Sequence, residues 1–187
     1  MAIRAFIAID IDEPNVLKKI IAFRDAIAAS GADIKIVEDE NIHLTLRFLG
    51  NIPETMIDEI HEIMKSIKFK PFKMKISGVG CFPNINRPRV VWVGVTEGYN
   101  ELKRIRDELE RKLRSLGFRP EREEFVAHIT VARVRSGRKR EALRKVIEEY
   151  RDFDAGEMTV RYIRLKQSIL TPRGPIYRTL REVIAED

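Results

Sequence analysis

Two short stretches hold the residues best able to do chemistry. His43-Leu44-Thr45-Leu46 and His128-Ile129-Thr130-Val131 repeat one pattern 85 residues apart in a chain of 187, and contain two of its three histidines. In an extended strand alternate side chains point to opposite faces, so each stretch sends an imidazole and a hydroxyl one way and its apolar residues the other. With an unperturbed pKa of about 6.5, one imidazole can be neutral while another is protonated near neutral pH, so a facing pair supplies a base and an acid together. Each threonine lies about 7 Å further along its strand and offers a hydroxyl donor to an oxygen held between the rings. Two acid/base groups and two donors around one centre suit a phosphodiester, which has two non-bridging oxygens to bind and an attacking and a leaving oxygen in line. The anion would also raise the pKa of an imidazole beside it. A lone His-x-Thr is ordinarily a packed or solvent-facing pair; the second copy is what gives the pattern weight.

The elements that must position these residues follow from periodicity and breakers. Ala5 to Ile11 reads as a buried strand, and Asp12 with Pro14 marks a helix start whose apolar stripe is Val16, Ile20, Phe23 and Ile27, ended by Gly31. Ile34 to Val37 is a short strand, and the His43 strand is expected to stop at Gly50. Asn51 and Pro53 then open a helix carrying Ile57, Ile60, Met64 and Ile67. Phe72, Met74 and Ile76 alternate with lysines as in a half-solvated strand. The stretch from Gly78 to Pro88 is the most loop-like and reads as the passage between two halves. The second half offers a strand over Val90 to Val95, a helix from Tyr99 to Leu116, the His128 strand and a helix from Lys139 to Tyr150. One or two strands over Met158 to Leu170, a turn at Thr171 to Pro175 and a closing strand from Ile176 to Ile184 complete it.

Each half thus runs strand, helix, His-x-Thr strand, helix, strand, an internal repeat of architecture with little sequence identity outside the motif. The expected fold class is α+β: two pseudo-symmetric lobes whose antiparallel sheets face a central cleft, with helices outside. The expected organisation is a single bilobal domain over 1–187, with lobes near 1–80 and 89–187 and terminal strands free to cross between them.

Composition sets wide bounds. A hydrophobic fraction of 44% with 34% charged residues is that of a soluble globular protein, and a net charge of +6 favours polyanionic partners, nucleic acid above all. The single cysteine, Cys81, excludes an internal disulfide and a thiolate cluster. The N-terminal apolar run is too short and too charged for a signal peptide or a membrane span, so the expected location is cytoplasmic. Abundant Glu, Lys and Arg beside one glutamine, Gln167, suit a thermophilic source.

The paired motifs resemble those of the 2H phosphoesterases, and within that superfamily the RNA 2′,3′-cyclic phosphodiesterases first described as 2′-5′ RNA ligases. The resemblance spans nearly the whole chain: Arg4-Ala5-Phe6-Ile7-Ala8-Ile9 at the start, Leu46-Arg47-Phe48-Leu49-Gly50 after the first motif, and Leu165 to Tyr177 with Ser168, Leu170, Gly174-Pro175 and Tyr177. It implies cofactor-free, metal-independent hydrolysis of a terminal cyclic phosphate to a 2′-phosphomonoester, with His128 as proton acceptor and His43 as proton donor. Thr45 and Thr130 would hold the non-bridging oxygens. Arg133, five residues after the second histidine, would be a further phosphate contact, although strict alternation points it away from His128 unless a bulge follows Val131. Arg47 has the parity of His43 and Thr45 and is a candidate phosphate contact. The implied partner is RNA with a 2′,3′-cyclic phosphate end, handled by a monomer without a membrane. The same displacement with a 5′-hydroxyl in place of water makes ligation a second reading, and a basic RNA-binding module without turnover is a third.

Other candidates have plainer readings. His61 lies in a helix among Asp58, Glu59 and Glu62 and reads as a solvated residue, and no carboxylate or thiolate stands at zinc-ligand spacing from the His pair. Lys103-Arg104-Arg106 and Arg138-Lys139-Arg140 are solvated faces or an RNA track, and Phe82 is a loop aromatic that could stack on a base.

Overall fold

The computed structural model describes residues 1–187. In chain order its elements are β1 (Ala2–Asp10), α1 (Pro14–Ala29), β2 (Ile34–Ile36), β3 (His43–Pro53), α2 (Ile57–Ser66), β4 (Phe72–Phe82) and β5 (Val90–Val95). There follow α3 (Tyr99–Leu113), β6 (His128–Val134), α4 (Arg140–Glu149), β7 (Asp154–Val160), β8 (Tyr162–Thr171) and β9 (Gly174–Ile184). The helices form where apolar residues recur three and four apart: α1 buries Val16, Ile20, Phe23 and Ile27, and α3 buries Leu102, Ile105, Leu109 and Leu113. The cap of α1 is Glu13 rather than Asp12. Its carboxylate accepts from Val16 N at 2.8 Å, and Pro14 occupies the first turn, where no N–H is missed.

The strands make two antiparallel sheets, one in the order β3-β1-β8-β9 and the other in the order β2-β6-β5-β4-β7. Setting β3 on β6 and β1 on β5 superposes the two histidine strands and places β8 on β4 and β9 on β7, with β2 an addition at one edge. This is the α+β architecture of two related lobes. β3 and β6 lie against each other where the lobes meet. Behind the first sheet sit α2 and α3; behind the second sit α1 and α4. Each helix that follows a lobe's central strand crosses over: α1 leaves β1 to cover the other lobe's sheet, and α3 leaves β5 to do the same.

Sequence halves are therefore not spatial lobes. The boundaries near 1–80 and 89–187 are corrected at β2 and β4, which come from the first half but pair in the second sheet; the crossing allowed for the terminal strands is made by β8 and β9, which complete the first. Local pairing explains β4, which turns at 83–89 straight into its antiparallel neighbour β5. The stretch from Gly78 to Pro88 is accordingly no passage between lobes, since β4 continues to Phe82. Likewise β3 runs past Gly50 to Pro53, pairing with β1 as far as Ala2, and the following helix begins at Ile57.

Candidate active site

Both motifs sit at the N-terminal ends of their strands, and both strands carry a bulge at the motif's last residue. On β3 the partners of Ala8 and Ile7 are Thr45 and Arg47, leaving Leu46 as an extra residue. On β6 the partners of Trp92 and Val91 are Thr130 and Ala132, leaving Val131 as the extra. A bulge puts two consecutive side chains on one face and reverses the alternation beyond it. Leu46 and Arg47 are both buried, as are Val131 and Ala132, while Phe48 and Arg133 emerge on the histidine face. The reversal decides the two arginines. Arg133 shares the face of His128 and Thr130.

Arg47 is turned away from the site, which corrects the expectation from its parity. The residue is 7% exposed, and its guanidinium bonds Glu110 of α3 at 3.1 Å and the Arg119 carbonyl at 2.6 Å, with Glu121 at 3.2 Å. It also donates to the Phe48 carbonyl. Arg106 adds a second cation on Glu110 at 3.2 Å. The Lys103 and Arg104 cations of the same helix are likewise committed, to Asp107 and to Glu101 and Glu108.

The two imidazoles are fixed alike. His43 Nδ1 lies 2.7 Å from the Asn41 carbonyl and His128 Nδ1 lies 2.7 Å from the Val126 carbonyl. A carbonyl only accepts, so both Nδ1 atoms carry the proton and, in the neutral rings, both Nε2 atoms are acceptors. Thr45 Oγ1, 2.9 Å from His43 Nε2, donates to it while the ring is neutral. Each ring stands in an aromatic corner: Phe6 and Tyr177 at 5.1 and 5.2 Å from His43, Phe82 and Trp92 at 5.0 and 6.1 Å from His128. Trp92 reaches its place because Gly80 has no side chain, since a Cβ there would come within 2.5 Å of the indole. Burial is the main force on both imidazoles and lowers both pKa values, against the opposing pull of the carbonyls that accept from Nδ1. His61 stands apart on α2, 3.3 Å from the Glu182 carbonyl.

Comparison with known proteins gives these features a context. The family model described as LigT like Phosphoesterase matches the chain twice, over residues 9–92 and 93–177, with one motif in each span. The chain belongs to the LigT-like phosphoesterase family. A relative from Aeropyrum pernix named RNA 2′,3′-cyclic phosphodiesterase is 52% identical over 89% of this chain and 95% of its own length. Another of that name, from Archaeoglobus fulgidus, is 44% identical over 95% and 98%. Among solved structures, a Thermus thermophilus protein aligns over 97% of both chains with a TM-score of 0.80 at 25% identity. The E. coli LigT complex with 3′-AMP also gives 0.80, over all of both chains, at 21% identity.

The two half-sites of this LigT-like site differ in charge. Asp10 is the cross-strand neighbour of His43; Gly94 holds the matching position opposite His128. Burial would raise the Asp10 carboxyl, but bonds from Lys166 and Arg164, each 2.7 Å, outweigh it and hold the group below its ordinary range. The resulting carboxylate favours a proton on His43, with Lys166 and His128 opposing, whereas Arg133 disfavours one on His128. Asp10 and Lys166 escaped the sequence reading because they are 156 residues apart and neither lies in a His-x-Thr motif. Phe48 escaped it because the bulge is invisible in composition, although both emergent residues stand five after their histidine. No group of three His, Cys, Asp or Glu side chains is arranged to hold a metal ion, and no helix is long and apolar enough to cross a membrane.

Proposed function

We propose that this chain hydrolyses the 2′,3′-cyclic phosphate end of RNA to a 2′-phosphomonoester, with His128 as base and His43 as acid and no metal in the chemistry. The observation that carries the assignment of roles is the broken symmetry: a carboxylate, Asp10, beside His43 and a guanidinium, Arg133, near His128. The substrate class follows from the names of the relatives and from the fit of a paired site to a phosphodiester.

In the step, Nε2 of neutral His128 takes a proton from water as its oxygen attacks phosphorus. The bond from phosphorus to O3′ breaks in line, and Nε2–H of protonated His43 delivers its proton to that oxygen. The bond to O2′ stays, which leaves a 2′-phosphate and a 3′-hydroxyl. Thr130, whose hydroxyl has no partner in the free protein, and Thr45, released when His43 Nε2 turns to substrate, donate to the non-bridging oxygens with Arg133. The chain acts as a monomer on a nucleic-acid partner.

The test is to incubate the protein with an oligonucleotide ending in a 2′,3′-cyclic phosphate, with and without chelator, and identify the product isomer. A 2′-phosphate formed at equal rates in both is expected. A 3′-phosphate, or a rate abolished by chelation, overturns the reading. Salt-sensitive binding without product would make the chain a binding module, and joined product from a 5′-hydroxyl strand would favour ligation.

A further inference from the structure

Next to the paired histidines is a second group of polar side chains without partners. Cross-strand pairing sets Arg4 of β1 beside Ser168 of β8, and Ser168 beside Tyr177 of β9, so the three form one row on one face of the first sheet. Phe6, two residues from Arg4 and so on the same face, packs at 5.0 Å on Tyr177 and 5.1 Å on His43, which places the row on the histidine side. The other cations of that face are spent: Arg164 and Lys166 both bind Asp10, and Arg164 also binds Glu182. Arg4 and Arg133 form no ion pair, and the hydroxyls of Ser168 and Tyr177 make no hydrogen bond. Burial raises the pKa of the Tyr177 hydroxyl, with Arg133 of the second lobe and Arg4 of the first pulling the other way. Neither guanidinium has a carboxylate partner, so an anion held at this row would gain from a cation that nothing in the free protein neutralises.

We propose that Arg4, with Ser168 and Tyr177, binds the phosphodiester on the 5′ side of the terminal nucleotide, one phosphate back from the one the histidines cleave. This rests on the hydrolase reading above and adds to it a substrate class: RNA ends carrying a 5′-ward phosphate, in preference to a bare cyclic mononucleotide. Arg133 serves the scissile phosphate, since it emerges beside Thr130. Arg4 is the uncommitted cation beyond Tyr177, whose ring, 5.2 Å from that of His43, spans the interval. A guanidinium suits the task because its planar fork pairs two phosphate oxygens at once, which an ammonium does not.

The experiment compares kcat/KM for a 2′,3′-cyclic nucleoside monophosphate with that for the same nucleotide bearing a 5′-phosphate, and with a cyclic-ended dinucleotide. In the native protein the 5′-ward phosphate is expected to raise kcat/KM roughly ten- to a hundredfold, the effect of one charge-assisted contact. That ratio should shrink with added salt. In Arg4→Met it should fall toward one, and in Arg4→Lys to an intermediate value. Arg4 is exposed, so neither change threatens folding. A ratio near one in the native protein, or a large ratio that persists in Arg4→Met, overturns the proposal. Failure of every substrate to turn over would instead overturn the hydrolase reading, and binding of the 2′-phosphate products with and without a 5′-phosphate then tests the subsite separately, with the same two outcomes.

Discussion

In the proposed mechanism a histidine's role is set less by its own chemistry than by which charges stand behind it. Burial among aromatic rings lowers the pKa of both His43 and His128, so the free protein holds both neutral at neutral pH. The proposed mechanism needs one proton between them. The singly protonated free form is therefore most populated on the acidic side of about 6.5, and kcat/KM is expected to peak there and fall as pH rises. Bound substrate anion raises the imidazole pKa, so the optimum of kcat should lie at higher pH than that of kcat/KM; coincident optima, or a maximum of kcat/KM well above 7, would contradict this. The same sign governs stability. With folded values below the unfolded one, each histidine costs stability as pH falls through about 6.5 toward its folded value, and nothing above it. Asp10 offers a sharper handle. Asp10→Asn removes the carboxylate and leaves Lys166 unpaired beside His43, which makes its proton harder to hold. The alkaline limb of the rate profile should shift to lower pH, with activity partly recovered in acid; an unshifted limb would show that Asp10 does not act on His43.

At the scale of elements, the bulges at Leu46 and Val131 do more than any single side chain. Reading by strict alternation puts Arg47 in the site and Arg133 outside it, and one extra residue per strand inverts both. The motif itself was legible because its histidine and threonine stand at short spacing, ahead of either bulge. What followed was not, because a bulge is a feature of pairing and pairing partners such as Ala8 and Trp92 are distant in sequence. Gly80 misled for a related reason: it reads as a breaker, yet it lies within β4 and makes room for Trp92. Arg47 found its place on the back of β3, where it ties Glu110 to the segment over 117–127, which has no regular secondary structure and carries the Val126 carbonyl that fixes His128. Arg47→Met should destabilise the protein by about 3 kcal/mol, near the lower end for breaking a buried pair because Arg106 still holds Glu110. Denaturant unfolding measures this. The folded variant should lose kcat more than it gains KM, and a change of less than about 1 kcal/mol would mean the cluster carries little.

For the whole molecule, the repeat in sequence and the repeat in space are related but not identical. Alternating architecture in the two halves pointed correctly to two similar α+β lobes with the motifs at corresponding places. It could not show that each sheet borrows two strands from the other half, because a strand's local pattern says that one face is buried and not against what. The exchange has a consequence. Fragments 1–80 and 89–187 each lack strands that their sheets require, so neither should fold alone by circular dichroism or amide dispersion, while mixing them should recover structure. Independent folding of either would contradict the interleaved topology.

The division of labour between the histidines is tested most directly by changing the leaving group. A cyclic phosphate with sulfur in place of O3′ departs without needing a proton, so it bypasses the acid but still needs the base. His43→Ala and His128→Ala should both be nearly inactive on the natural cyclic phosphate. On the sulfur-substituted substrate, His43→Ala should regain most of the native rate while His128→Ala stays inactive. Recovery by His128→Ala, or by neither variant, would contradict His43 as acid and His128 as base.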